Sequence, residues 1–121
     1  MIKRIKFIGI PVGDQERALG FYTEKLGFRI LTDQQFSATQ RWIELSIPGA
    51  ETGLSLFTPE GHEDRIGTFM NTSWEVENVE KAYEALLAKG VEFMAPPVKQ
   101  PWGTSVIMKD SEGNRIVLAS R

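Results

Sequence analysis

The chain opens on Ile2 to Val12, where apolar residues alternate: Ile8, Ile10 and Val12 fall on one side, Phe7, Gly9 and Pro11 on the other. A period of two predicts a strand. Gly13-Asp14 marks a turn, and Asp14 is suited to cap a helix, since its carboxylate can accept the unpaired amides of the first turn. Gln15 to Leu26 carries Ala18, Leu19, Tyr22 and Leu26 at helical spacing, and Gly27 supplies the stop. Three strand-like runs follow: Phe28–Thr32, Arg41–Ile47 and Gly53–Phe57, the last two joined by Pro48-Gly49-Ala50-Glu51. Thr58 to Gly67, with Pro59, Gly61, Gly67 and mixed charges, reads as a linker.

The pattern then starts again. Asn71–Val76 alternates as a strand, with Trp74 and Val76 on one face; Trp74 is assigned to the core. Val79–Lys89 has helical spacing and ends at Gly90, and Val91–Met94, Thr104–Lys109 and Arg115–Ala119 are strand candidates. Strand, helix and three strands therefore occur twice. At an offset of 64, Val12 falls on Val76, Glu16 on Glu80, Arg17 on Lys81, Ala18 on Ala82 and Lys25 on Lys89. Helix, stop glycine and strand spacing recur together, which favours an internal repeat over two unrelated amphipathic stretches.

Composition narrows the function classes. The 121 residues are 41% hydrophobic and 25% charged, as in a soluble globular domain. No apolar run approaches the ~20 residues that span a bilayer. Fourteen Lys+Arg against sixteen Asp+Glu give a formal charge of -2, so there is no basic field for nucleic acid or anionic lipid, and neither is an expected partner. Cysteine is absent, which excludes thiolate catalysis, disulfides and Cys-type zinc sites. A single histidine, His62, excludes a multi-histidine metal site within one chain. Met1-Ile2-Lys3-Arg4-Ile5-Lys6-Phe7 lacks the apolar core of a secretory signal, so the expected location is the cytoplasm.

The duplicated βαβββ pattern resembles the vicinal oxygen chelate superfamily, which includes glyoxalase I, extradiol dioxygenases, fosfomycin-resistance enzymes and bleomycin-resistance proteins. Ile10 to Tyr22 looks like the first strand and helix of that family, Leu26-Gly27-Phe28 like its helix end, and Asp110-Ser111-Glu112-Gly113-Asn114-Arg115-Ile116 like its penultimate turn. The resemblance implies an α+β fold: tandem βαβββ modules forming a curved, mixed, eight-stranded sheet with two outer helices around a cleft. One domain is expected over residues 1–121, with module 1 at about 1–58, a linker at 59–67 and module 2 at about 68–121. Similar proteins are often homodimers, and a homodimer is expected here.

In the family, the inward faces of the first and last strands of each module carry metal ligands. Strand parity puts Phe7, Ser55, Asn71 and Val117 at those positions, with Ser73 on the same face as Asn71. Phe and Val cannot bind a divalent ion, and Ser and Asn offer only neutral oxygens. The expectation is therefore no metal and no cofactor. The same parity turns Trp42, Glu44 and Phe57 toward the cleft, and Trp102 begins a strand near the pocket mouth in similar proteins. Large aromatics supply stacking area for a flat or greasy ligand; ordinary core or dimer packing is the competing reading. Glu44 and Glu75 are the candidate catalytic residues. A carboxylate in an apolar cleft has a raised pKa and can act as a general base, against the alternative of a solvated or paired strand carboxylate. Arg41 and Arg115 are candidates for an anionic ligand, although surface arginines are common. His62 reads as a solvated loop residue.

The leading expectation is a metal-independent pocket for a small, partly apolar molecule, similar to the bleomycin-resistance branch, which sequesters ligands. The alternative is an enzyme of the same superfamily (lyase, isomerase or dioxygenase-like) using a cleft carboxylate or a displaced metal site. A third possibility is an interaction protein whose pocket is filled by its own side chains.

Overall fold

A computed structural model describes all of residues 1–121. Its elements are β1 (Phe7–Pro11), α1 (Gln15–Gly20), β2 (Arg29–Gln35), β3 (Arg41–Ser46), β4 (Gly53–Phe57), β5 (Phe69–Glu75), α2 (Val79–Ala88), β6 (Glu92–Phe93), β7 (Val98–Gln100), β8 (Gly103–Lys109) and β9 (Arg115–Ser120). Helix α1 widens into a π-helical turn over Phe21–Lys25 before Gly27 ends it at φ 76°. The chain divides into two compact units, Met1–Ile66 and Gly67–Arg121. The fold is α+β, with the strands in two mixed sheets ordered β1-β4-β3-β2 and β5-β9-β8-β6, and β7 added beside β8.

In the first unit β1 and β4 run parallel, and β4 and β2 are each antiparallel to β3. The alternation in the sequence becomes a division of faces. Ile10, Val12, Ile43, Leu45, Leu54 and Leu56 are fully buried together with Tyr22 of the helical segment. Each contributes about 1.5–3 kcal/mol relative to an exposed side chain. Asp14 caps α1, its Oδ1 accepting from the Arg17 amide at 2.9 Å. Gln15 ties the helix start to the sheet, its Nε2 donating to the Arg41 and Leu56 carbonyls at 2.7 and 2.9 Å. The second unit repeats the plan: Asn78 caps α2 through the Lys81 amide at 3.0 Å. Asp14 and Asn78 are themselves 64 apart, so the repeat extends to the caps. Here the sheet pins the helix start through Ser120 Oγ, which accepts from the Val79 amide at 3.1 Å. Val106, Met108, Ile116 and Leu118 form the buried face of β8 and β9.

Three departures from the sequence reading have physical causes. The first strand begins at Phe7 rather than Ile2, and Met1, Ile2 and Ile5 are exposed. Pairing with β4 starts at the Phe7–Gly53 register, so earlier residues have no strand beside them to bury against. The expected eight strands are nine, hydrogen-bonded as two sheets rather than one. Strand β7 is short and wholly exposed, so it lacks the apolar alternation that would announce it. Third, Trp74 is only half-buried, its indole N–H donating to Thr72 Oγ1 at 3.1 Å.

Arg41 closes the β2–β3 ladder on the helix side. Its guanidinium is bidentate to Asp33, with Nε–Oδ1 and Nη2–Oδ2 both at 2.7 Å, and Nη1 reaches Glu16 Oε2 at 2.9 Å. These bonds hold the Asp33 carboxyl below its usual range and push the guanidinium further up. A carboxylate with a lowered folded pKa stabilises the fold above its unfolded pKa near 3.8, and that contribution is lost as pH falls through the lower folded value. Asp33→Asn is expected to cost about 1 kcal/mol at pH 7. The gap from the parent should close in acid, as urea midpoints measured across pH will test.

Candidate functional site

Each sheet has a second face, turned away from the buried one. In the first unit it carries Phe7 and Gly9 on β1, Gly53, Ser55 and Phe57 on β4, and Trp42 and Glu44 on β3. Gly9 and Glu44 both pair with Ser55, one from each side. Phe7 stands one step along this lattice, beside Gly53, and Trp42 one step the other way, beyond Glu44. Ser55 therefore lies midway on the diagonal between the two aromatics. Their rings meet edge to face with centroids 5.6 Å apart, and Ser55 beneath them is 1% exposed. A Cβ on Gly9 would lie 3.1 Å from Phe57 Cε1, so Phe57 occupies the space the glycine leaves. Glu44 is half-buried beside this aromatic floor.

In the second unit the corresponding face carries Ser73, Val117 and Ile107 in one register row. Glu75 pairs with Ala119 one step on and is exposed. Asn71 departs from simple parity. Five residues of β5, Phe69 to Ser73, stand against only three of β9, Arg115 to Val117, so the strand bulges. Asn71 sits in that bulge at φ 51°, a left-handed conformation that Asn tolerates better than most residues. It is exposed and outside the ladder. Trp102, in the turn between β7 and β8, is 79% exposed. Glu44 and Glu75 belong to different units, and His62 is exposed in its loop.

Arg41 and Arg115 turn out differently. Arg41 is already saturated by Asp33 and Glu16 and offers a ligand no vacant fork. Arg115 lies on the same face as Val117, in register with Lys109 of β8. Its Nε is buried without a hydrogen-bond partner. Lys109 was not singled out in the sequence, although its parity within β8 places it on this face.

The four side chains at the positions where the resemblance expects metal ligands do not suit a divalent ion. Phe7 and Val117 have no lone pair, while Ser55 and Asn71 bring neutral oxygens. No group of three or more His, Cys, Asp or Glu side chains is placed to hold one elsewhere. No helix is long and apolar enough to cross a membrane.

Comparison with known proteins agrees with this architecture. YetH of Bacillus subtilis (strain 168) is 36% identical over 121 residues, covering 98% of each chain. A superfamily member from Sphaerobacter thermophilus DSM 20745 superposes with a TM-score of 0.89 at 32% identity, covering 99% of this chain and 98% of that one. TnmS3, an antibiotic binding protein from Streptomyces sp. CB03234, gives a TM-score of 0.82 at 30% identity, covering 98% and 95%. Residues 4–118 match the sequence pattern of one family across nearly the whole chain, and the chain belongs to the Glyoxalase/Bleomycin resistance protein/Dioxygenase superfamily.

Proposed function

We propose that this protein binds a small, partly apolar molecule on the sheet faces turned away from its buried cores, with no metal at the family's ligand positions. The observation that supports this reading most is the Phe7–Trp42 ring pair over Ser55. Where relatives would present a ligating side chain, this chain presents aromatic area, which favours stacking against a planar ligand. Phe57 extends that area, and Glu44 gives it one polar, orienting group. The corresponding face of the second unit offers a surface of its own, with Ser73, Val117 and the exposed Trp102, and with Asn71 in its bulge. Similarity to an antibiotic binding protein is consistent with this class of ligand.

The purified protein, incubated with zinc, nickel, manganese and iron salts and then desalted, is expected to retain far less than one equivalent of any of them. Stoichiometric retention that is lost on replacing Ser55 and Asn71 would overturn the reading. We take the working form to be a cytoplasmic homodimer. The same preparation is expected to run at twice 13.6 kDa by light scattering, and a monomeric mass would refute that part.

A further inference from the structure

The second unit carries two cations side by side, neither of them in an ion pair. Lys109 on β8 and Arg115 on β9 are direct cross-strand partners. Such partners hold their Cβ atoms about 4.5–5.5 Å apart, and like charges in that position repel. Neither side chain makes an ion pair or a side-chain hydrogen bond. Arg115 Nε is buried and unpartnered, a rare state for a guanidinium nitrogen. Glu92 is in register with Lys109 on its other side, but it is exposed and forms no salt bridge with it. The contrast within the chain is plain: Arg41 spends its whole fork on two carboxylates, while Arg115 keeps its fork vacant.

The surroundings are apolar. Phe69, 46% exposed, is the register partner of Arg115 on β5, and the next row along holds Val117 and Ile107. A paired positive charge next to an apolar step is complementary to an organic acid: a carboxylate for the fork, a hydrocarbon or aromatic body for the step.

We propose that Lys109 and Arg115 form an anion-recognising subsite, and that the ligand is an apolar molecule bearing a carboxylate. This rests on the reading that ligands bind the sheet face turned away from the buried core, and it adds their charge. The carboxylate accepts from the terminal guanidinium nitrogens of Arg115 and from Lys109 Nζ. Its binding removes the repulsion between the two cations.

The test compares naphthoate with naphthalenemethanol, nearly isosteric and differing in charge, by titration calorimetry on the full chain. Naphthoate is expected to bind at least about tenfold more tightly, as charge-assisted hydrogen bonds require. The advantage should shrink with added sodium chloride. Arg115→Gln is expected to abolish the preference by bringing naphthoate down to the affinity of the alcohol. Lys109→Gln is expected to reduce the preference, and it carries the test should the first variant fold poorly. Equal affinity for the two probes in the parent protein overturns the subsite while the apolar site survives. Equal weakening of both probes by Arg115→Gln does the same. Binding of neither probe overturns the ligand-binding reading and the subsite with it.

Discussion

Asn114→Ala is expected to destabilise the protein by about 3 kcal/mol and lower its melting temperature by roughly 10–15 °C. Asn114 is fully buried in the turn between β8 and β9. Its Oδ1 accepts from the Gly67 amide at 2.8 Å, and its Nδ2 donates to Asp110 Oδ2 at 3.0 Å. Asp110, itself 6% exposed, uses Oδ1 to accept from the amides of Glu112 and Asn114 at 2.9 and 2.8 Å. The alanine keeps its own amide bond to Asp110 but loses the bond that the side chain accepts from Gly67 and the one that it donates to the Asp110 carboxylate. The bond to a charged group is worth about 1.5–3 kcal/mol and the neutral one about 0.5–1.5 kcal/mol. Asn114→Asp should do no better, because it sets a second carboxylate against the first. Ser111→Ala, in the same turn, should stay within about 0.5 kcal/mol. Thermal unfolding followed by circular dichroism measures all three. A melting point for Asn114→Ala within a degree or two of the parent would refute this account of the turn.

Gly53→Ala should be comparably severe, for a steric reason. A Cβ at Gly53 would clash with the Leu45 carbonyl oxygen and sit 3.9 Å from the Lys6 oxygen. Both are backbone atoms, so no rotamer change relieves the contact and β3 must move away from β4. Gly53 is also the register partner of Phe7, and the strain falls under the aromatic pair. The expected cost is about 3 kcal/mol, at the upper end for overpacking. Gly49→Ala is the control. That glycine has φ 81° but open space around it, so only the backbone conformation is penalised, by about 1 kcal/mol. If the two variants lose the same stability in urea titrations, crowding against Leu45 is not the cause.

Much of the fold was legible in the sequence because a period of two and a period of 3.6 leave different marks on the same residues. Gln15 as the start of α1, Asp14 as its cap, Gly27 as its end and Gly53–Phe57 as a strand all appear as read. Parity likewise put Leu54 and Leu56 on one face, and both are fully buried. The bulge in β5 was not legible, because an insertion in a ladder is defined against the partner strand, and β9 lies forty residues further on. Parity therefore holds along the Ser73–Val117 row and breaks at Asn71.

The candidate site divides the same way. That Phe7 and Val117 cannot ligate a metal is a property of the side chains themselves, fixed once their positions in the repeat are known. Which of two arginines is vacant is not. Arg41 and Arg115 are equivalent as letters, and only the register of β2 on β3 and of β8 on β9 gives one of them Asp33 and the other Lys109. By itself the sequence determined the duplicated α+β plan, the buried faces and the missing donors, since these follow from local periodicity and residue chemistry. Tertiary structure alone decided the ring contact over Ser55, the bulge at Asn71 and the unpaired charges at Lys109 and Arg115, because electrostatic and steric neighbours are set by distance in space and not by distance along the chain.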